Sequence, residues 1–337
     1  MSRLSFCFKF HVFFYLTLLP ISSWAYVLGI GGHPEGFRDS TEKYVSLLKQ
    51  YNISSLRTDY LWQEVEVTKG KYNPANIKTE SVINVSFKKG VSALLILGYG
   101  NDLYGTGKPK TNDQVIAYSN YAAWTAEHFR GRGYIYEIWN EWPHRTNKDS
   151  SPTNIDSAIN YIALVKSASL AIKKVDPTAK VIAGGFNPID GLEKQWGRYL
   201  VKNGILKYVD GISIHPYAYS SKRLASPPTN LSMVRNFHDM LVSTNKDLKE
   251  IPFYITEIGY PTYHGKPQFT EDDIETYATE YFKVAGSMPF IKGVWWYDLK
   301  DDGNDKNNKE HNFGILKNDL TEKKVADVFT KLKLYLK

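Results

Sequence analysis

The sequence predicts a single (β/α)8 barrel, and three observations lead to this fold class. Eight short apolar runs with strand-like composition recur along the chain, and each is followed by a segment with apolar residues at three- and four-residue spacing. No linker, low-complexity stretch or change of composition interrupts the alternation. The 337 residues accommodate a barrel of about 250 residues with insertions.

The competing architecture is a doubly wound open sheet, which would carry a glycine-rich phosphate turn after its first strand. Gly29, Gly31 and Gly32 resemble such a turn only loosely. The third spaced glycine and the acidic residue about 20 positions later are both missing. We therefore interpret these glycines as the end of the first barrel strand.

The elements alternate in order from the N-terminal side. The predicted strands cover residues 26–31, 55–58, 92–98, 134–139, 180–185, 211–215, 253–257 and 293–297. The predicted helices cover residues 41–51, 74–89, 113–130, 155–175, 192–203, 231–248, 270–285 and 322–336. Pro74 is typical of a helix entrance, and Thr270 offers a capping hydroxyl ahead of three acidic residues.

Residues 1–25 have the pattern of a secretory signal peptide and are not expected to belong to the fold. Arg3 and Lys9 give a basic start, residues 10–19 are apolar, and Ser23 and Ala25 supply the small residues of a cleavage site. The apolar run is shorter than the roughly 20 residues of a membrane-spanning helix. We expect an exported protein, periplasmic or secreted, whose catalytic domain is residues 26–337 and which has no membrane span after cleavage.

Composition excludes several classes of chemistry and partner. The single cysteine, Cys7, lies in the leader, so the mature chain has no thiol nucleophile and no cysteine-ligated zinc. The formal net charge of +7 comes from scattered basic residues, which argues against nucleic acid as a partner. The sequence does not determine the oligomeric state.

Polar and aromatic residues follow the predicted strands, and in a barrel these strand ends form one rim where the active site lies. Glu141 closes the fourth strand and Glu257 closes the seventh. Either glutamate alone would be interpreted as a helix cap or a solvated charge. The two ends face each other almost across the barrel, which is the arrangement glycosidic cleavage requires of a carboxylic acid and a carboxylate.

At these two strand ends the sequence resembles clan A, the (β/α)8 retaining glycoside hydrolases. Trp139-Asn140-Glu141 matches the acid/base motif of strand four, and residues 255–260 (ITEIGY) match the nucleophile motif of strand seven. The strand-two region, residues 56–66 and 69–72, resembles family 39, whose bacterial exopolysaccharide hydrolases are similarly compact.

The resemblance implies a role for each matching residue. Glu141 is the implied acid and then base, with a pKa raised by apolar neighbours and by the charge of Glu257. Glu257 is the implied nucleophile and must stay ionised, and Arg57 and Tyr217 are candidates to hold it by charge and hydrogen bonding. Asn140 is the implied partner of the sugar 2-hydroxyl.

Further substrate-binding candidates come from their positions at strand ends. His215 resembles a residue of the clan's catalytic rim, and His33 occupies the corresponding place after the first strand. Only one of two adjacent tryptophans at the last strand can face the cleft, and Trp296 is the expected one. Tyr99 and Asn101 are candidates on the third loop.

Two other functions remain open at this point. One is a metal-dependent hydrolase that uses His33, His215 and Asp298, although the chain has no HxH or HExxH pair. The acidic loop 298–312 also lacks the 12-residue calcium pattern and is interpreted as a solvated loop. The other is a catalytically inactive polysaccharide-binding barrel. The preferred hypothesis needs no cofactor or metal, and its partner is an oligo- or polysaccharide.

Overall fold

Eight parallel strands form a closed barrel in chain order, which confirms the predicted fold class. The computed structural model describes residues 26–105, 107–144, 151–218, 225–245 and 250–332. The strands are β1 (Val27–Gly31), β2 (Ser55–Asp59), β3 (Ser92–Leu97), β4 (Ile135–Ile138), β5 (Lys180–Phe186), β6 (Gly211–Ile214), β7 (Phe253–Ile258) and β8 (Ile291–Trp296). Strand β8 pairs with β1, so the sheet has no free edge.

Helices follow the strands and cover the outside of the barrel. They are α1 (Thr41–Gln50), α2 (Trp62–Val65), α3 (Ile77–Lys88), α4 (Asn112–His128), α5 (Ile155–Val175), α6 (Gly191–Lys202), α7 (Pro227–Thr244), α8 (Glu271–Gly286) and α9 (Ala326–Lys331). The one-turn helix α2 is additional to the eight predicted helices.

Side chains fill the barrel interior because alternate strand residues point inward. Ile96, Tyr254 and Trp295 belong to one buried cluster inside the barrel. The indole of Trp295 donates to the hydroxyl of Ser55 at 3.1 Å, so its one polar atom is satisfied. The interior is therefore a packed core below the rim, and solvent reaches the strands from the rim side.

Capping side chains fix most helix starts. Thr270 and Asp273 form a reciprocal capping box at α8, as the acidic first turn predicted. Helix α3 begins after Asn76, whose side chain accepts from two backbone amides, and so it starts later than Pro74 suggested. Helix α7 begins earlier than predicted, because Ser226 caps it ahead of Pro227.

Parts of three sequence predictions lie outside the described ranges. They are the proposed leader, residues 1–25, the end of the predicted helix 231–248, from residue 246, and the end of the last predicted helix, from residue 333. Helix α9 itself is shorter at its start than predicted, since it begins at Ala326. Among the described residues, α5 is long and apolar enough to cross a membrane, but it packs against α4 and α6 as one of the barrel helices.

Candidate active site

The carboxyl ends of the strands surround a cleft of about 640 Å³. The strand-end residues that the sequence singled out and that line this cleft are His33, Arg57, Tyr99, Asn140, Glu141, His215, Tyr217 and Glu257. The closed barrel thus brings together nearly all the residues that the strand-end argument selected.

The chain turns sharply after β4, and this turn aims Glu141 into the cleft. Trp139 and Glu141 both have positive φ values, 63° and 49°, in the left-handed region that side chains rarely adopt. Gly185 of β5 makes room for the turn, because a Cβ there would lie 2.9 Å from the amide nitrogen of Glu141. Strain of this kind persists where packing holds it and is concentrated at functional sites.

An irregularity in β7 brings two consecutive side chains to the cleft region. Regular alternation would send Thr256 and Glu257 to opposite faces of the strand. The pairing between β7 and β8 shifts register between Ile255 and Ile258. Thr256 consequently faces the barrel interior while Glu257 also reaches the cleft.

Glu257 is held by two donors. Its Oε2 accepts from Arg57 at 3.0 Å, and its Oε1 accepts from the hydroxyl of Tyr217 at 2.9 Å. Only 15% of the side chain is exposed, so these hydrogen bonds orient a largely buried carboxylate. Arg57 and Tyr217 occupy the positions that the sequence predicted for them.

The two glutamates are close enough for displacement chemistry. One carboxylate oxygen of Glu141 and one of Glu257 lie within 4.8 Å of each other, with His215 beside both. Retaining glycosidases separate their carboxyl groups by about 5 to 5.5 Å, whereas inverting enzymes need about 6.5 to 9.5 Å to admit a water molecule. An oxygen–oxygen distance below 4.8 Å lies on the retaining side of this division, on which a carboxylate attacks directly.

Arg57 is the centre of a buried network. Its side chain is 3% exposed and donates to Glu137 at 3.0 Å, to Glu257 at 3.0 Å and to the side-chain amide oxygen of Asn140 at 2.7 Å. Asn140 in turn donates to the hydroxyl of Tyr99 at 3.0 Å. Both flanking carboxylates hold the pKa of Arg57 above its usual value, against the effect of burial.

A chain of hydrogen bonds fixes the ring of His215. Thr256 donates its hydroxyl proton to Glu137 at 2.9 Å, so the Thr256 oxygen is left to accept from His215 Nε2 at 3.0 Å. The other ring nitrogen, Nδ1, lies 3.0 Å from Oε1 of Glu141. Since Nε2 carries a hydrogen, one proton lies between His215 and Glu141 and is bound to one or the other.

The electrostatics of this pair correct one sequence expectation. Burial raises the pKa of Glu141, but the hydrogen bond and charge of His215 outweigh burial and leave the pKa below its usual value. Burial lowers the pKa of His215, but the charge of Glu257 and the bond to Glu141 outweigh burial and raise it. The raised pKa predicted for Glu141 is therefore wrong, because a basic residue that faces it was left out of the prediction.

Two predicted substrate-binding residues lie away from the cleft. Trp296 is fully buried and packs against Tyr260 and Phe282 on the helix side of β8. The next residue, Tyr297, lines the cleft instead. Asn101 is buried in the third loop, where it donates to the carbonyl of Glu66 and caps a short helical turn.

The structure also separates the residues of the alternative metal-dependent hydrolase. His215 groups with Glu141 and Glu257, whereas His33 and Asp298 group with Asp302. The expected triad of His33, His215 and Asp298 is therefore not formed. His33 itself lines the cleft, as predicted, on the side of β1 and β8.

Sequence reasoning missed two residues that support the site, Glu137 and Thr256. Glu137 is fully buried within β4 and pairs with Arg57. A charged residue in the middle of an apolar strand was a usable signal, because such residues are almost never buried without a partner. Thr256 gave no comparable signal, since threonine is common in strands.

The fold and the paired carboxylates define the class, a barrel glycoside hydrolase. A model of the cellulase family, glycosyl hydrolase family 5, matches residues 25–298. The chain therefore belongs to glycosyl hydrolase family 5, a member of the predicted clan A. No curated protein sequence matches the chain significantly.

Solved structures share the fold. A family 39 glycoside hydrolase from Bacteroides cellulosilyticus WH2 is 24% identical with a TM-score of 0.73, and the match covers 91% of this chain and 64% of that one. A family 5 subfamily 18 enzyme from Streptomyces cattleya, in complex with GlcNAc, is 13% identical with a TM-score of 0.72, over 92% and 80% of the two chains. A monomeric beta-xylosidase from Caulobacter crescentus CB15 is 16% identical with a TM-score of 0.69, over 91% and 68%. The strand-two resemblance to family 39 agrees with this likeness of fold.

Proposed function

We propose that the protein is an exported retaining glycosidase that cleaves O-glycosidic bonds in an extracellular or capsular polysaccharide. Glu257 is the nucleophile and Glu141 is the acid and base. The observation that carries the proposal is the pair of carboxylates within 4.8 Å at the base of one cleft. The periplasmic or secreted location rests on the composition of residues 1–25.

The first half of the reaction forms a covalent intermediate. The carboxylate of Glu257 attacks the anomeric carbon, the bond from that carbon to the glycosidic oxygen breaks, and Glu141 gives its proton to the departing oxygen. Arg57 and Tyr217 orient the nucleophile. Asn140 hydrogen-bonds a sugar hydroxyl beside the reacting carbon, and its bonds to Arg57 and Tyr99 support this role because they fix its side chain.

The second half returns the enzyme to its starting state. Glu141, now ionised, takes a proton from water, the water oxygen bonds to the anomeric carbon, and Glu257 leaves. His215 helps Glu141 in both halves, because the proton that lies between them can reside on either residue. Two inversions at one carbon retain its configuration.

The direct test is release of reducing ends from xylan, mannan, cellulose and the source organism's own exopolysaccharide. We expect release from one of these substrates by the wild type and its loss in a folded Glu141→Gln variant. Binding without any release by the folded wild type would favour the inactive binding barrel instead.

The shared proton predicts a pH effect of His215→Gln. In the wild type the pair keeps its proton until the raised pKa of His215 is passed, whereas in the variant the proton depends on the Glu141 carboxyl alone, and the ordinary pKa of a carboxyl lies below that of histidine. We expect the alkaline limb of kcat/KM to move to lower pH, with the acid limb less affected. An unchanged alkaline limb in a folded variant would contradict the shared-proton interpretation.

A further inference from the structure

A second cluster of ionisable side chains lies at the β1 and β8 side of the cleft. Nδ1 of His33 is 3.0 Å from both carboxylate oxygens of Asp302 and 3.7 Å from Oδ2 of Asp298. One potential ligand atom from each of the three residues lies within 4.8 Å of the others. None of the three takes part in the proposed reaction.

Asp298 is the unexplained member of this cluster. Its side chain is 3% exposed, yet among the described residues it accepts no hydrogen bond, and its Oδ1 is buried without a partner. The distance from Oδ2 to His33 is too long for a hydrogen bond. A buried carboxyl directed at a histidine and a second carboxylate, with no hydrogen-bond donor of its own, requires a proton, a protonated His33 beside it or a bound cation.

The cluster lies in the half of the cleft that holds the sugar attacked by Glu257. Glu141 protonates the leaving group, so the leaving group lies toward β4 and β5, where His144, Asn187 and Glu193 line the cleft. His33, Tyr297 and Glu310 line the opposite half. This assignment of the two halves rests on the proposed function.

We propose that His33, Asp298 and Asp302 bind one divalent transition-metal ion, of which zinc is the representative, at the margin of this half of the cleft. The ion is not part of the displacement chemistry. Its charge neutralises the two aspartates. The three side chains leave the fourth coordination position open toward the cleft, where a sugar hydroxyl or a water molecule is the fourth ligand.

The donor set and the spacing fit this class of ion. One imidazole nitrogen and two carboxylates favour zinc or its neighbours over calcium and magnesium, which take oxygen ligands. Tetrahedral zinc with ligands at about 2.0 to 2.2 Å places neighbouring ligand atoms roughly 3.4 Å apart. The two distances from His33, 3.0 and 3.7 Å, bracket that value. Asp302 is about one-third exposed and has room to adjust.

The catalytic cluster is a poorer cation site, although its geometry is similar. Glu257 already accepts from Arg57 and Tyr217, and the guanidinium lies beside the position that a cation would take. A buried positive charge disfavours a second one nearby. Binding at the two clusters can be separated with variants of each.

The test is isothermal titration of the chelator-treated, dialysed full-length protein with zinc chloride at pH 8, repeated with calcium chloride. We expect one equivalent of zinc to bind and calcium to bind more weakly. Asp302→Asn and His33→Ala each remove a ligand and should weaken zinc binding by about tenfold or more, as even outer-shell changes do. Asp298→Asn should weaken zinc binding to the same extent if the variant folds. If it does not fold, the His33 and Asp302 variants still test the proposal, because these two side chains are more exposed.

Two control variants show whether zinc binds at this cluster or elsewhere on the protein. Asp239→Asn breaks a histidine–aspartate pair of the same length, His238 with Asp239 at 3.0 Å, and should leave zinc binding unchanged. Glu257→Gln abolishes the proposed reaction but should also leave zinc binding unchanged. The proposal would be overturned if the wild type bound no zinc. It would also be overturned if Glu257→Gln lost zinc binding while His33→Ala and Asp302→Asn kept it. In either case a proton, and not a metal ion, would neutralise Asp298.

Discussion

Glu257→Gln is expected to lower turnover by on the order of 10⁴-fold or more while the protein stays folded, because loss of a covalent nucleophile has effects of this size in enzymes that act through one. Glutamine has nearly the same shape and keeps an oxygen that accepts a hydrogen bond, so Arg57 and Tyr217 retain one acceptor between them. The measurement is kcat on the best substrate, with circular dichroism to verify folding.

The same kcat measurement, made on a substrate with a different leaving group, distinguishes the roles of Glu141 and Glu257. A dinitrophenol leaving group departs without protonation, so Glu141→Gln should still form the intermediate from a dinitrophenyl glycoside, whereas Glu257→Gln should not. Glu250→Gln, an exposed residue paired with Lys292, is a matched control and should behave as the wild type. Equal losses in both variants on this substrate would contradict the assigned roles.

Arg57→Met is expected to lower both stability and activity. The change leaves Glu137 and Glu257 without their shared cation in a buried site, and breaking one side of a buried ion pair costs about 3 to 5 kcal/mol. Urea unfolding should show that loss in the free energy of unfolding. Activity should also fall because the nucleophile and Asn140 lose their common donor.

A double variant distinguishes the charge effect from simple loss of packing. Adding Glu137→Gln to Arg57→Met removes the fully buried unpaired charge, so part of the lost stability should return. Activity should not return, because Glu257 still lacks its donor. Additive destabilisation by the two changes would contradict the network described around Arg57.

Sequence periodicity predicted the barrel, because most of the strands are apolar runs and a helical segment follows each strand. The strand ends then identified eight of the residues that line the cleft, including Arg57, Asn140 and Tyr217, since closure of a parallel barrel places those ends on one rim. The sequence could not predict that the consecutive residues Thr256 and Glu257 both face the site. Their arrangement depends on a register shift in β7, and no residue type indicates such a shift.

The errors have specific physical causes. Trp296 is the expected cleft residue of the tryptophan pair, but Trp295 lies inside the barrel and Tyr297, directly after β8, lines the cleft. The expected rise in the pKa of Glu141 takes account of its apolar neighbours and of the charge of Glu257, but not of His215, which is 74 residues away and bonds to the carboxylate. Contacts between distant strands were the main information that the sequence could not supply.

The configuration of the first-formed product tests the central claim most directly. Proton NMR of the anomeric signals, recorded within minutes of adding enzyme to the glycoside that it cleaves, distinguishes the two outcomes before mutarotation mixes them. Double displacement through Glu257 predicts that the product first appears with the configuration of the substrate. First appearance of the opposite anomer would contradict a nucleophilic role for Glu257.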